Sequence, residues 1–267
     1  MKYSIVRELG SGATGTVYLG QDKSSKLVAI KIISDEKLKT RRRSIVNEIY
    51  ISKLLKCRHK NIACFVESGT TIAGDIAIIT EYIGDVTLYD MKLKRILIRF
   101  EENKVLLLDI AYQLADGLEF MHNIGVAHRD IKPHNIVLKD HIPVYIDFDL
   151  SCVVNSKEHC MIGRVRTPNY MAPEVWRNDP NIDLFKSDIY SLGVLFYFLF
   201  NSRRLPYISE TIKELKNEIL NHQPYPSYSG DKELDQLTFN MRSRNPDERP
   251  TPSEIKDKLQ ELIKGSV

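Results

Sequence analysis

Cysteine and tryptophan are scarce in this chain, long apolar runs are missing, and neither sign of charge prevails. The four cysteines, Cys57, Cys64, Cys152 and Cys160, make no CxxC pair. A chain of 267 residues, 43% of them hydrophobic, can build a core without covalent staples, which excludes a disulfide scaffold and makes a reducing compartment the expectation. The most apolar stretch, Val194–Phe200, is far shorter than the about 20 residues that span a bilayer, so it reads as a buried helix. Met1–Glu8 has no apolar signal core. Together these point to an intracellular location, cytoplasmic or nuclear, with no membrane partner. Lys and Arg number 38 against 35 Asp and Glu, a net charge of +3. No bulk basic field is available, so nucleic acid is not an expected partner. Internal repeats and low-complexity segments are also missing, which excludes collagen and coiled-coil architectures.

What is present is an ordinary globular composition, with 27% charged residues, and a length that suits one large domain or two lobes around a cleft. Strand-like segments, Tyr3–Val6, Thr16–Leu19 and Leu27–Ile33, are separated by Gly and Asp/Lys/Ser clusters. A helix is expected over 40–56, then strands near Ala63–Ser68 and Asp75–Glu81. After Gly84 the pattern turns helical, at about 104–123, 187–201, 211–221, 231–242 and 252–264. The last has a capping box, Thr251 with Glu254, and Pro252 at its first position. A β-rich first third followed by a helical remainder implies a hinge near 81–84, and ligands favour such clefts.

Three segments carry chemistry. Gly10-Ser11-Gly12-Ala13-Thr14-Gly15-Thr16-Val17 lies between strand-like segments. Glycines let backbone N–H groups approach phosphates closely. A tight hairpin or a dinucleotide fingerprint are the alternatives, although the latter needs a following helix where a strand follows here. Lys31 interrupts an apolar strand. It is either a surface lysine on an edge strand or a buried one needing a partner, for which Glu48 is the candidate. The densest signal is His128-Arg129-Asp130-Ile131-Lys132-Pro133-His134-Asn135, bounded by apolar segments and followed by Asp147. Asn135 and Asp147 are suited to supply oxygen ligands to Mg²⁺. Asp130 is suited to accept a hydroxyl proton, and Lys132 to neutralise a transferring phosphoryl group. Each taken singly also reads as a surface-loop residue.

In this order, together with Val28–Lys31, Asp147-Phe148, Ala172-Pro173-Glu174, Asp188–Gly193 and Asn245–Pro250, these segments resemble the eukaryotic protein kinases over nearly the whole chain. The resemblance implies an α+β, two-lobed fold: a small antiparallel β-sheet N-lobe with one main helix (1–83) and a larger, mainly helical C-lobe (84–267), forming a single catalytic domain with little appended. It implies ATP and Mg²⁺ as cofactors, with Gly10, Ser11, Gly12, Ala13 and Gly15 over the phosphates. Lys31 would hold the α/β-phosphates and pair with Glu48. Asn135 and Asp147 would hold Mg²⁺, and Asp130 would orient the accepting hydroxyl. Val17, Ala29 and Val137 would enclose the adenine, the backbone of Glu81 and Ile83 would bond its edge, and Thr80 would guard the back pocket. Lys132, two after Asp130, and Thr167 before Ala172 follow the serine/threonine pattern, so the expected partner is a protein with a Ser or Thr acceptor. Asp188 would brace the catalytic loop, and an Arg249–Glu174 pair the second lobe.

The chain departs from the family pattern in four places. Asp149 stands where glycine is usual after Asp147-Phe148, which is expected to disfavour a flip of this segment. The usual phosphosite position holds Gly163, so activity without loop phosphorylation is expected unless Ser151 or Ser156 serves instead; Arg129 would pair with Glu158 or stay solvated. Ser52, four after Glu48, replaces a usual apolar residue, or the helix register is displaced. Finally, His134 and Phe198 occupy positions where an acidic residue would select substrate arginine, and Lys157, Arg164 and Arg166 lie near the substrate loop. Acidic or already phosphorylated substrates suit that charge. The run Arg41-Arg42-Arg43 reads as a solvated helix start. A pseudokinase that binds partners without transfer, or a small-molecule phosphotransferase, are the alternative functions.

Overall fold

The computed structural model describes residues 2–12, 14–93, 104–154, 156, 160, 167–201 and 204–266. Five strands make the first sheet: β1 (Tyr3–Ser11), β2 (Thr16–Asp22), β3 (Leu27–Ile33), β4 (Phe65–Thr70) and β5 (Ile76–Glu81). They are antiparallel, in the order β1-β2-β3-β5-β4. The β2–β3 turn is tight because Asp22 Oδ1 accepts from the N–H groups of Ser24 and Lys26 while Ser25 adopts a left-handed φ of 64°. Central β3 alternates between two covered faces: Val28, Ile30 and Ile32 lie on one, and Ala29, Lys31 and the buried Ile33 on the other. Lys31 is therefore on a central strand, not an edge.

Helix α1 (Asp35–Leu55) packs on this sheet through Ile45, which meets Ile33, Phe65 and Ile78, while Ile51 and Leu55 join the core of the helical region. It begins earlier than the apolar spacing predicts. Ser34 caps it by accepting from the Lys37 N–H, and Asp35 and Glu36 in the first turn complement its dipole. The arginine run is consequently not a helix start: it lies at a kink, where Arg41 leaves helical geometry (φ −127°, ψ 18°). The Glu48 register is as expected, and Ser52 is buried four residues later.

The remainder is mainly helical. Helices α2 (Leu88–Leu93), α3 (Lys104–Asn123), α4 (Pro173–Arg177), α5 (Leu184–Phe200), α6 (Ile212–Asn221), α7 (Lys232–Met241) and α8 (Pro252–Lys264) are accompanied by two small two-stranded sheets between α3 and α4. Strand β6 (Val126–Ala127) pairs with β9 (Cys152–Val153), and β7 (Ile136–Lys139) with β8 (Ile142–Tyr145). The largest core joins Leu108, Leu114 and Leu118 of α3 to Leu192 and Leu195 of α5, Leu234 of α7, and Ile255 and Leu259 of α8. Val194–Leu199 is buried within α5, as its composition predicts. Gly193 lets α7 come close: an added Cβ would lie 2.7 Å from the Met241 Cβ. The expected capping box of α8 is present, and α6 carries a second one, Thr211 with Glu214, that the sequence reading missed.

The cysteines differ from expectation. The structure pairs Cys57 with Cys64 and Cys152 with Cys160, at Cα separations of 4.3 and 4.8 Å. The core does not require such links, but the backbone brings the residues together: Cys57 at a left-handed turn after α1, and Cys152 opposite Ala127 in the β6–β9 pair. Among the described residues no helix is long and apolar enough to cross a membrane.

A buried ion pair ties α4 to the loop before α8. Arg249 Nη1 and Nη2 donate to the two Glu174 carboxylate oxygens at 2.6 and 2.8 Å, and its Nε donates to the Ser243 carbonyl at 2.8 Å. Both side chains are almost wholly inaccessible. Removing one partner strands a buried charge. Arg249→Ala is expected to lose about 3–5 kcal/mol in denaturant unfolding, whereas Lys39→Ala, which breaks the exposed pair with Asp35, should cause no measurable change.

Candidate active site

The loop 128–135 is fixed from below. Asp188, buried on α5, accepts from the N–H groups of His128 and Arg129, each at 2.7 Å, and lies 3.1 Å from His122 Nε2. Burial alone would push its carboxyl up; the hydrogen bond and charge of His122, followed by His128 and the Arg129 N–H, outweigh it and hold the group below the usual carboxylate range. The two N–H bonds give the loop a sharp turn in which Arg129 takes a φ of 69°. Arg129 is buried, which overturns its solvated alternative; Glu158, its other expected partner, lies outside the described residues.

Above this turn Asp130 is the centre of a small network. Its Oδ2 accepts from Lys132 Nζ at 2.6 Å and Asn135 Nδ2 at 2.9 Å, and its Oδ1 from Thr167 Oγ1 at 3.1 Å. Lys132 Nζ also reaches Thr167 Oγ1 at 3.0 Å. The amide nitrogen of Asn135 is committed twice, because it also donates to the Asp130 carbonyl at 2.9 Å. Its oxygen is thereby left to face another group. His134 stacks on Tyr89 with ring centroids 3.8 Å apart.

Lys31 reaches the same region from the sheet. Its Nζ lies 2.6 Å from Glu48 Oε1 and 3.4 Å from Asp147 Oδ1. Burial would lower the Lys31 pKa, but the carboxylates of Asp147, Glu48 and Asp149 more than offset it and hold the ammonium charged. Lys31 in turn keeps Asp147 below the usual range against the effect of burial. Phe148 is buried next to His128, with ring centroids 5.5 Å apart.

The glycine segment bends over β2 and β3, with the Gly12 N–H donating to the Gly15 carbonyl at 2.9 Å. At Gly15 a Cβ would lie 2.6 Å from the Ile32 carbonyl oxygen, so the close crossing requires glycine. Gly10, Ser11 and Gly12 are open to solvent, and Ala13 lies outside the described residues. Val17 faces Lys31 across β2–β3, and Ala29 faces Thr80 across β3–β5. Glu81 is fixed to Cys64 by its N–H and by its side chain, both at 2.9 Å. Ile83 follows directly, and Val137 is buried beside Gly84. Direct contacts thus join Lys31, Glu48 and Asp147 in one group and Asp130, Lys132, Asn135 and Thr167 in another. Lys157, Gly163, Arg164 and Arg166 lie outside the described residues. Sequence reasoning missed Ser44 and Asn47 of α1, which bond the carbonyls of Asp149 and Ser151 at 3.4 and 2.7 Å. A polar residue one turn before Glu48 was their only local signal.

Asp149 is not among the left-handed residues, so it occupies this position without needing glycine's freedom. Burial, then the neighbouring Asp147 charge, push its carboxyl up to about 7. The folded chain therefore holds an extra proton between the ordinary 3.8 and about 7, and stability falls as pH rises through that window. Asp149→Asn is expected to remove this fall. Without divalent cation its thermal midpoint should exceed that of the parent chain at pH 8, with the gap closing towards pH 5; a gap independent of pH would contradict the assignment.

Comparison with known proteins identifies the family. The protein kinase domain family model matches residues 3–259. A protein of Acanthamoeba polyphaga mimivirus named as a serine/threonine-protein kinase is 35% identical over 260 residues, covering 96% of this chain and 93% of its own. The Plasmodium berghei calcium-dependent protein kinase 6 is 32% identical over 83% of this chain but 14% of its own length. The human serine/threonine-protein kinase Nek5 is 30% identical over 95% of this chain and 36% of its own. The chain thus spans most of the viral relative and well under half of the other two. The chain belongs to the protein kinase family, in its serine/threonine class.

Proposed function

We propose that this chain transfers the γ-phosphoryl group of ATP to Ser or Thr hydroxyls of proteins, and does so without phosphorylation of its activation segment. The observation that carries this reading is the Lys31–Glu48 contact at 2.6 Å, formed beside Asp147 while Asp130 is held by Lys132, Asn135 and Thr167. Residues 1–83 and 84–267 act as the two lobes of one catalytic domain, with the nucleotide between them.

The contacts support the roles that the family resemblance implies. The open backbone at Gly10, Ser11 and Gly12 and the crossing at Gly15 suit a phosphate cover, to which Ala13 also belongs. Val17, Ala29 and Val137 line the adenine position, the Glu81 and Ile83 backbone bonds its edge, and Thr80 limits its depth. The ammonium of Lys31, oriented by Glu48, binds the α/β-phosphates. The donor set fits Mg²⁺: the Asn135 amide nitrogen is engaged by Asp130, leaving its oxygen, and the Asp147 carboxylate is held ionised by Lys31. Bound there, Mg²⁺ neutralises phosphate charge. Asp130 accepts the hydrogen bond of the incoming hydroxyl and orients it, and Lys132 balances charge on the transferred group. Positioning and charge compensation are what a loose phosphoryl-transfer transition state requires. Basic residues Lys157, Arg164 and Arg166 favour acidic or already phosphorylated substrates.

Independence from loop phosphorylation has further support. Ser151, one possible alternative phosphosite, is buried, and its hydroxyl donates to the His128 carbonyl at 3.0 Å.

Phosphatase-treated chain with radiolabelled ATP, Mg²⁺ and a generic protein substrate is expected to transfer label at about the rate of untreated chain. Asp130→Ala should lower kcat by about 10²–10⁴-fold. Transfer that survives in Asp130→Ala would overturn the mechanism. No transfer by the parent chain would favour a binding protein, and loss on phosphatase treatment would refute the phosphate-independent part alone.

A further inference from the structure

Helix α1 must hold one particular position for Glu48 to meet Lys31. Its kink at Arg41 separates the N-terminal turns from the part carrying Glu48, so something beyond the first turns has to fix that part. Ser44, Asn47 and Glu48 stand at i, i+3 and i+4, one face of the helix. The face that presents Glu48 to Lys31 therefore also grips the backbone that leads away from Asp147. Asn47 Nδ2 donates to the Ser151 carbonyl at 2.7 Å, and Ser44 Oγ donates to the Asp149 carbonyl at 3.4 Å.

The gripped segment is itself immobilised. Ser151 is buried, and its hydroxyl donates to the His128 carbonyl. The His128 N–H donates to Asp188 on α5. A continuous set of bonds thus runs from α5 through the catalytic loop and Ser151 to Asn47, next to Glu48. The Asn47 amide is costly where it stands, because its buried Oδ1 has no hydrogen-bond partner among the described residues. An amide half unsatisfied is a poor choice for packing alone. Its remaining use is the donor aimed at Ser151.

We propose that Asn47 is a positioning residue for phosphoryl transfer: its bond to the Ser151 carbonyl holds α1 where Glu48 orients Lys31, with no phosphate on the activation segment. This rests on the kinase reading above. The bond takes the place of an external brace, and its effect reaches the nucleotide only through Glu48.

The test uses the full chain, phosphatase-treated, with Mg²⁺ and ATP as substrate. Asn47→Leu removes the donor at similar size, and Asn47→Asp removes it with little change of shape. Both are expected to lower kcat/KM for ATP about tenfold, the scale of one lost hydrogen bond with a carbonyl left unpaired. Because Asn47 acts through Glu48, the Asn47→Leu/Glu48→Gln double variant should lose no more than Glu48→Gln alone. A purely structural role would instead multiply the two losses and lower the thermal midpoint. Wild-type kcat/KM in Asn47→Asp, or multiplying losses in the double variant, would overturn the proposal. Should Asn47→Leu fail to fold, Asn47→Asp and its double with Glu48→Gln decide the question in the same way. A parent chain without phosphoryl transfer would instead overturn the kinase reading itself, and this proposal with it.

Discussion

The ammonium of Lys31 is the constraint from which the rest of the site follows. It sits on a central strand, between apolar neighbours, where a charge without partners would be lost or would unfold the strand. Two carboxylates from different parts of the chain therefore have to meet it: Glu48 from α1 and Asp147 from the segment after β8. Each contact fixes an element. Glu48 fixes the rotation of α1 against the sheet. Asp147 fixes the distance between the sheet and the catalytic loop. On the proposed function, the lysine and the two carboxylates that satisfy it are also the groups a nucleotide and its cation would use, so the demand for pairing and the demand for preorganisation have one solution.

The catalytic loop depends on a second buried charge of opposite sign. Asp188 accepts two backbone N–H bonds and a contact from His122, which locks a turn that places Asp130 and Asn135 above it. Farther out, Arg249 and Glu174 close the helical region. Buried charges of this kind add little stability over apolar residues of the same shape, but they specify one geometry because every misplacement leaves a charge unpaired. Lys31, Asp188 and Arg249 each impose such a rule, at the sheet, the loop and the helical base. Between the first two, the Ser151 and Asn47 bonds are short-range and uncharged. They carry the position of one to the other.

Much of this was legible in the sequence, and the physical reasons are local. The alternation of Leu27–Ile33 marks a strand wherever it sits. The dense polar run His128–Asn135 between apolar segments has no place in a core. The α8 cap needs only Thr251, Pro252 and Glu254. Features set by distant partners were not legible. Helix α1 begins at Asp35, before its apolar face starts, because capping and the dipole determine the start. Strands β6 and β9 are two residues each and exist only through their pairing. The bond of Asn47 to Ser151 joins residues 104 apart, and nothing local to either announces it. The cysteine pairs arise similarly, from turns that bring the residues together for other reasons. At Asp149 the sequence shows only a missing glycine; the raised carboxyl and a backbone without left-handed φ follow from the fold around it.

The central claim is that protein contacts alone hold α1 in place, with Glu48 on Lys31 and no phosphate on the activation segment. Amide hydrogen exchange across 44–52 tests this most directly, comparing phosphatase-treated chain with chain preincubated with Mg²⁺ and ATP. The account predicts equal protection of these amides in the two samples, since the bonds that hold the helix are present in both. Rapid exchange across α1 in the phosphatase-treated sample, slowing only after preincubation, would contradict it.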